Sequence, residues 1–171
     1  MTTESPAPAA LHAWAICLQA GEEARRRGDR RAGTDHVLLA LLADPAVEVV
    51  LGVSLQQARQ ALASLDQEAL GALGMQAGTD APPLPMRAVP KQPKLRDIIM
   101  QRDRVRMTPM AKNVLEEAST HNRRRAWVTA QQVLAQILTL QPPDPAAVLL
   151  DALDVNTSEV RRRLDPVAPD R

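Results

Sequence analysis

The sequence predicts an all-α protein built as two pseudo-symmetric four-helix repeats joined by a long Pro-rich connection. Three observations carry this. Residues 22–65 and 116–164 repeat one order of features: a Glu-Glu-Ala helix, a Thr-led apolar helix, a Pro break, a short apolar helix, then a capped helix ending in Arg or Leu. The chain has no Phe and no Tyr, so its core must be built from Leu, Val, Ile, Ala and Met, which suits helix-on-helix packing. The helix caps also recur in matching places. A repeat of this length fixes architecture before any single motif does.

In chain order, residues 1–8 contain Ser and Pro and predict a flexible N-terminus. The double repeat is expected over 9–165: repeat one over 9–74, linker over 75–106, repeat two over 107–165. Residues 166–171 form a tail. The first helix is predicted from Ala9 to Arg27, with Leu11, Trp14, Ala15 and Leu18 on one face and Gly28 as its stop. Thr34 is expected to cap a second helix, with Asp35 placed where the helix dipole favours a negative charge. Pro45 opens a short helix through Leu51, closed by Gly52. Ser54 and Gln57 form a capping box for a fourth helix reaching Leu65 or as far as Leu73.

The second copy follows the same grammar. Thr108-Pro109 starts a helix, Thr129 and Gln132 form a capping box, Asp144-Pro145 starts the short helix, and Asn156 with Glu159 caps the last one. Leu38, Leu39 and Leu42, and their counterparts Val133, Leu134 and Ile137, are expected in the core. Between the copies, about Gly78 to Gln92 reads as an irregular, mobile loop, and Lys94 to Arg104 has the spacing of one further helix.

Composition narrows the function. Net charge is +1, so no global field draws nucleic acid. Cys17 is the single cysteine, so no intrachain disulfide is possible and a reducing, cytoplasmic setting is expected. The start of the chain has no basic, apolar leader, no apolar run approaches membrane-spanning length, and no membrane is expected as partner. No nucleophile–base–acid set, no metal-ligand spacing and no phosphate-binding loop is present, so the expectation is a non-enzymatic protein with no cofactor and no metal.

The order Glu22-Glu23-Ala24, Arg27-Gly28-Asp29 and Gly33-Thr34-Asp35-His36 followed by Val37-Leu38-Leu39, then Leu51-Gly52-Val53-Ser54-Leu55 and Ala58-Arg59, closely resembles the Clp N-terminal domain at the front of ClpA- and ClpC-type AAA+ unfoldases. The second copy opens in the same style at Arg106-Met107-Thr108-Pro109. The resemblance implies a module that receives client and adaptor protein segments, with Clp ATPase or protease components among its partners, as an accessory or decoy factor. No ATPase segment follows, so a stand-alone copy is expected, with a fragment of a longer chain as the alternative.

In some ClpC-type proteins each repeat also binds phosphorylated arginine through the acid of Gly-Thr-Glu-His. Carried to this chain, that implies a single candidate ligand site in repeat one. Thr34 and the first-turn amides would receive phosphate, Asp35 would face the guanidinium, and Arg30 or Arg31 would add a phosphate contact. Repeat two has Ala130 in place of the acid. Ordinary capping by Thr34 and Asp35 is the competing reading. The Arg triplets 25–27, 123–125 and 161–163 read as solvated faces balanced by Glu22, Glu23, Glu116, Glu117 and Glu159. Contact with nucleic acid through them is the alternative function. His36 is expected to bond within the fold, and His12 and His121 to lie on the surface. The Met residues around the linker read either as an adaptable sticky surface or as core fill.

Overall fold

The computed structural model describes residues 10–74, 106–120 and 127–164. Among these the chain is almost wholly helical. The elements are β1 (Ala10–His12), α1 (Ala13–Arg27), α2 (Thr34–Leu41), α3 (Pro45–Leu51), α4 (Leu55–Ala72), α5 (Pro109–Thr120), β2 (Trp127–Thr129), α6 (Ala130–Ile137), α7 (Pro145–Ala152) and α8 (Thr157–Leu164). The expected helix over 94–104, the mobile loop over 78–92, both flexible termini, the triplet at 123–125 and His121 lie outside the described residues.

Local chemistry explains most boundaries. Asp44 Oδ1 accepts from the Ala46 N–H at 2.9 Å with Pro45 as the first helical residue, and α3 stops at Gly52 with φ +69°, where glycine is free of a Cβ clash. Ser54 and Gln57 exchange both bonds of a capping box, Ser54 Oγ accepting from the Gln57 N–H at 3.2 Å and Gln57 Oε1 from the Ser54 N–H at 2.9 Å. Thr129 and Gln132 do the same at 3.1 and 2.9 Å. Thr108 Oγ1 accepts from the Ala111 N–H, Asp144 Oδ1 from the Ala146 N–H, and Asn156 Oδ1 from the Glu159 N–H. α4 runs to Ala72, the longer of the two expected extents.

Three expectations need correction. The chain does not enter α1 at Ala9. Residues 10–12 instead pair antiparallel with 127–129, Leu11 opposite Val128. Trp127, Val128 and Thr129 favour an extended backbone, and pairing satisfies groups that a frayed first turn would leave to water. Second, the inward face of α1 is Ile16, Ala20 and Ala24, with Trp14, Ala15 and Leu18 only half-buried. Ala20, Gly21 and Ala24 are small, which lets α1 lie close along α2. Third, Gly33 rather than Thr34 is the N-cap of α2, and Thr34 is its first helical residue.

The core lies around α2. All eight of its residues are buried, and it touches α1, α4, α5, α6 and α7. A helix apolar on every side from Val37 to Leu42 can be satisfied only by neighbours on every side. One hydrophobic cluster therefore spans both halves of the chain, and the two expected triplets sit in it: Leu38, Leu39 and Leu42, with Val133, Leu134 and Ile137, are all at most 1% exposed. A second tie is made by backbone alone. The Ala32 N–H donates to the Arg106 carbonyl at 2.8 Å, and the Thr108 N–H donates to the Ala32 carbonyl at 2.9 Å.

With no aromatic side chain in this cluster, its leucines have few bulky neighbours able to close a void. Leu39→Ala and Leu134→Ala should each lower the unfolding free energy by about 2–5 kcal/mol in chemical denaturation. A loss below about 1 kcal/mol at either position would contradict the burial described.

Candidate functional site

The first turn of α2 carries three polar side chains into the interior: Thr34, Asp35 and His36 are 1%, 6% and 3% exposed. Buried polar groups are costly unless paired, and all but one of the polar atoms here, His36 Nε2, have partners. The Thr34 hydroxyl donates to Asp144 Oδ1 at 2.7 Å, the same oxygen that caps α7, so one carboxylate ties α2 to the far half of the chain. Asp35 Oδ2 accepts from Arg27 Nη1 at 3.2 Å. His36 Nδ1 accepts from the Gly33 N–H at 3.1 Å and lies 3.0 Å from Asp35 Oδ1. Its Nε2 is 3.1 Å from Asp29 Oδ2 but outside hydrogen-bond alignment, and has no hydrogen-bond partner among the described residues. His36 thus bonds within the fold, as expected.

Burial pushes the Asp35 carboxyl up, but hydrogen bonding at His36 and the charge of Arg27 outweigh it, leaving the group below its ordinary value. The carboxylate also folds back over Gly33. A Cβ added there would meet Asp35 Oδ1 at 2.5 Å, so close approach, not an unusual φ, requires glycine.

Arg27 gathers this network. It reaches Asp35, Asp29 at 3.6 Å and, through Nη2, Asp66 on α4 at 2.6 Å. One turn earlier on α1, Glu23 is clasped by Arg59 of α4 in a two-pronged pair, Nε to Oε2 at 3.0 Å and Nη2 to Oε1 at 2.6 Å. The hydrogen bond to Glu23 raises the Arg59 guanidinium above its already high ordinary value, the direction expected of a paired cation. Between these two straps α1 and α4 leave a groove of about 280 Å³ whose floor is Leu39 and Leu62, with Ala63 and Arg26 on its walls. The floor is apolar, the rim is charged, and the Arg26 side chain is 64% exposed with only a 4.0 Å contact to Glu23.

The four residues expected to form one ligand site divide into two places. Thr34 and Asp35 are interior, and a guanidinium, that of Arg27, already faces Asp35. Arg30 and Arg31 are exposed and turn to a separate indentation with Arg25 and Arg106. The remaining Arg-rich helix ends are largely engaged: Arg25 pairs with Glu22, Arg163 with Glu159, and Arg161 donates to the Leu138 carbonyl. Met107 is buried as core fill, whereas Met110 is 47% exposed. Burial raises the Cys17 thiol, the opposite of what an activated thiolate needs. Among the described residues no group of His, Cys, Asp and Glu is arranged to hold a metal, and no helix is long and apolar enough to cross a membrane.

Sequence reasoning missed Arg27 as the hub, the Glu23–Arg59 clasp, Asp66 and the Thr34–Asp144 bond. The clasp and the Arg27–Asp35 pair had a faint signal, in that Glu23, Arg59, Arg27 and Asp35 all belong to the run of residues that resembles the Clp domain; Asp66 and Asp144 lie outside it. Neither a protein-family model nor a curated protein sequence gives a match to this chain.

Asp35 keeps its charge to lower pH in the folded chain than in the unfolded one, so the unfolded state takes up the proton first. Its stabilisation is full above the ordinary carboxylate value of about 3.9 and fades as pH falls through the lower folded value. Asp35→Asn should therefore be less stable than wild type at pH 7, with the gap narrowing below about pH 4, as read by denaturant unfolding across pH. A gap that stays constant with pH would remove the ionic role. Gly33→Ala should cost about 1–3 kcal/mol in the same measurement, because the locked Asp35 carboxylate must move.

Proposed function

We propose that this chain is a non-enzymatic module of the Clp N-terminal type that receives segments of client or adaptor proteins in the α1–α4 groove. The observation that carries the receiving role is the groove itself. Two ion-pair straps between α1 and α4 hold open a Leu39–Leu62 floor wide enough for one or two side chains. Ligand sites of this kind combine an apolar floor with a few placed polar groups, and a peptide with a large apolar residue meets both.

The double-repeat reading is supported by matched local geometry. Asp44-Pro45 and Asp144-Pro145 make the same cap at the same 2.9 Å, and the turns after the short helices place Gly52 at φ +69° and Asp154 at φ +53°. A left-handed residue at the turn after the short helix in both places, glycine in one and aspartate in the other, favours a duplicated unit. The modified-arginine reading of Thr34, Asp35, Arg30 and Arg31 carries a cost here. A ligand's guanidinium has to displace Arg27 from Asp35 in a buried first turn, so the open groove is the better receiving site. Nucleic acid is the weaker reading, since most described arginines of the triplets already have protein partners.

Ala63 is exposed on α4 and lines the groove, so Ala63→Trp fills the groove without touching the core. Wild type should bind a permanently unfolded client protein in fluorescence anisotropy and compete for it with a Clp unfoldase N-terminal domain. Ala63→Trp should weaken binding by about tenfold at unchanged melting temperature. Equal binding by the two proteins would overturn the assignment of the groove.

A further inference from the structure

We infer that the indentation where the end of α1, the 28–32 turn and Arg106 meet is an anion pocket that takes a carboxylate from an acidic protein segment. Four arginines line it, Arg25, Arg30, Arg31 and Arg106, over a floor of Gly21, Ala24 and Ala32. Its single acid, Asp29, is turned to His36 and Arg27. Arg25 spends one side of its guanidinium on Glu22. Arg30, Arg31 and Arg106 have no ion pair among the described residues. On a chain with net charge +1, this is a local concentration of positive charge that the carboxylates of the described residues leave mostly unanswered.

The positions are built rather than incidental. Gly28 at φ +84° ends α1, with the Gly28 N–H donating to the Arg25 carbonyl at 3.2 Å and the Asp29 N–H to the Ala24 carbonyl at 2.8 Å. These bonds fix the start of the turn. The paired bonds of Ala32 to Arg106 and Thr108 fix its end and bring Arg106, distant in sequence, beside Arg30 and Arg31. The volume, about 60 Å³, suits one carboxylate-sized group. The apolar floor strips water from one side of that group, which strengthens each charge-assisted bond to the rim.

The occupant follows from charge and size. Asp35 does not line the pocket, and its one lining acid, Asp29, is turned to His36 and Arg27, so the lining favours an anion over a ligand's guanidinium. A nucleic-acid backbone needs a continuing stripe of unpaired cations to follow its phosphates. Here the neighbouring arginines of α1 are answered by Glu22, Glu23 and Asp66. A single acidic side chain on a bound protein segment fits both the isolation and the size of the site. The inference deepens the receiving role proposed above by naming the charge of the received segment.

The test is fluorescence anisotropy at low and moderate salt with three labelled probes: a short peptide rich in Asp, Glu and Leu, its Lys counterpart, and single-stranded DNA of equal charge. Each is titrated with wild type, with the Arg30→Ser/Arg31→Ser/Arg106→Ser variant, and with Arg162→Ser, a change at another exposed arginine, as control. All three substituted positions are exposed, and circular dichroism melting checks that the variant stays folded. The expected result is that the acidic peptide binds, weakens with salt, and loses about tenfold in the triple variant but not in Arg162→Ser. The Lys peptide should not bind. No binding of the acidic peptide at low salt, equal binding by the triple variant, or tighter pocket-dependent binding of DNA would each overturn the proposal. Ala63→Trp separates the two readings. Acidic-peptide binding that survives this change while unfolded-client binding is lost supports both, and unfolded-client binding indifferent to Ala63→Trp sinks the groove alone.

Discussion

A helix buried on every side is the constraint from which the remaining structure follows. α2 has no solvent face to carry its polar residues, so the three at its start must be paired inside the protein. Thr34 is answered by Asp144 from the far half of the chain, Asp35 by Arg27 and His36, and His36 by the Gly33 amide. Leaving any one of these groups unpaired would impose the full desolvation cost of that group. The first turn is therefore tied directly to the last turn of α1, to the 28–33 turn and to the start of α7.

The same demand shapes the surface. Arg27 is drawn to Asp35 from the last turn of α1, and its remaining donor reaches Asp66 on α4. Together with the Glu23–Arg59 clasp this sets the spacing of α1 and α4 and leaves Leu39 and Leu62 at the bottom of a groove. Isolated surface ion pairs contribute little, but the Glu23–Arg59 clasp is part-buried and two-pronged, and the guanidinium that reaches Asp66 is shared with buried Asp35. Arg30 and Arg31 lie beyond the reach of the network, and the Ala32–Arg106 backbone pairing gives them a third arginine as neighbour.

The two halves share their grammar and differ at one point that matters. α6 begins with Thr129 outside the helix, its hydroxyl capping Gln132. α2 begins with the equivalent-looking Thr34 already inside the helix, its hydroxyl turned to another element. Gly33 makes the difference, because without a Cβ the Asp35 carboxylate can fold back over the chain and the cap moves one residue earlier. One half thus starts its central helix with a self-contained cap, and the other with a buried charge network reaching three neighbouring segments.

What the sequence by itself determined is what short-range chemistry determines. The Asp44-Pro45 and Asp144-Pro145 starts, the Ser54–Gln57 and Thr129–Gln132 boxes, the stops at Gly28 and Gly52, the all-α class and the six buried core positions depend on residues within about one turn of each other or on helical periodicity. Tertiary structure alone decided the rest. The inward face of α1 was set by which small residues let α2 approach, not by the most apolar stripe. Residues 10–12 became a strand only because 127–129 lay alongside them. Thr34 left its expected cap for an oxygen at the start of α7, and the expected single ligand site separated into a buried pair and an exposed one. Such partners are chosen by proximity across the fold, and a pair such as Thr34 and Asp144, or Arg31 and Arg106, leaves no spacing in the chain from which that proximity could be read.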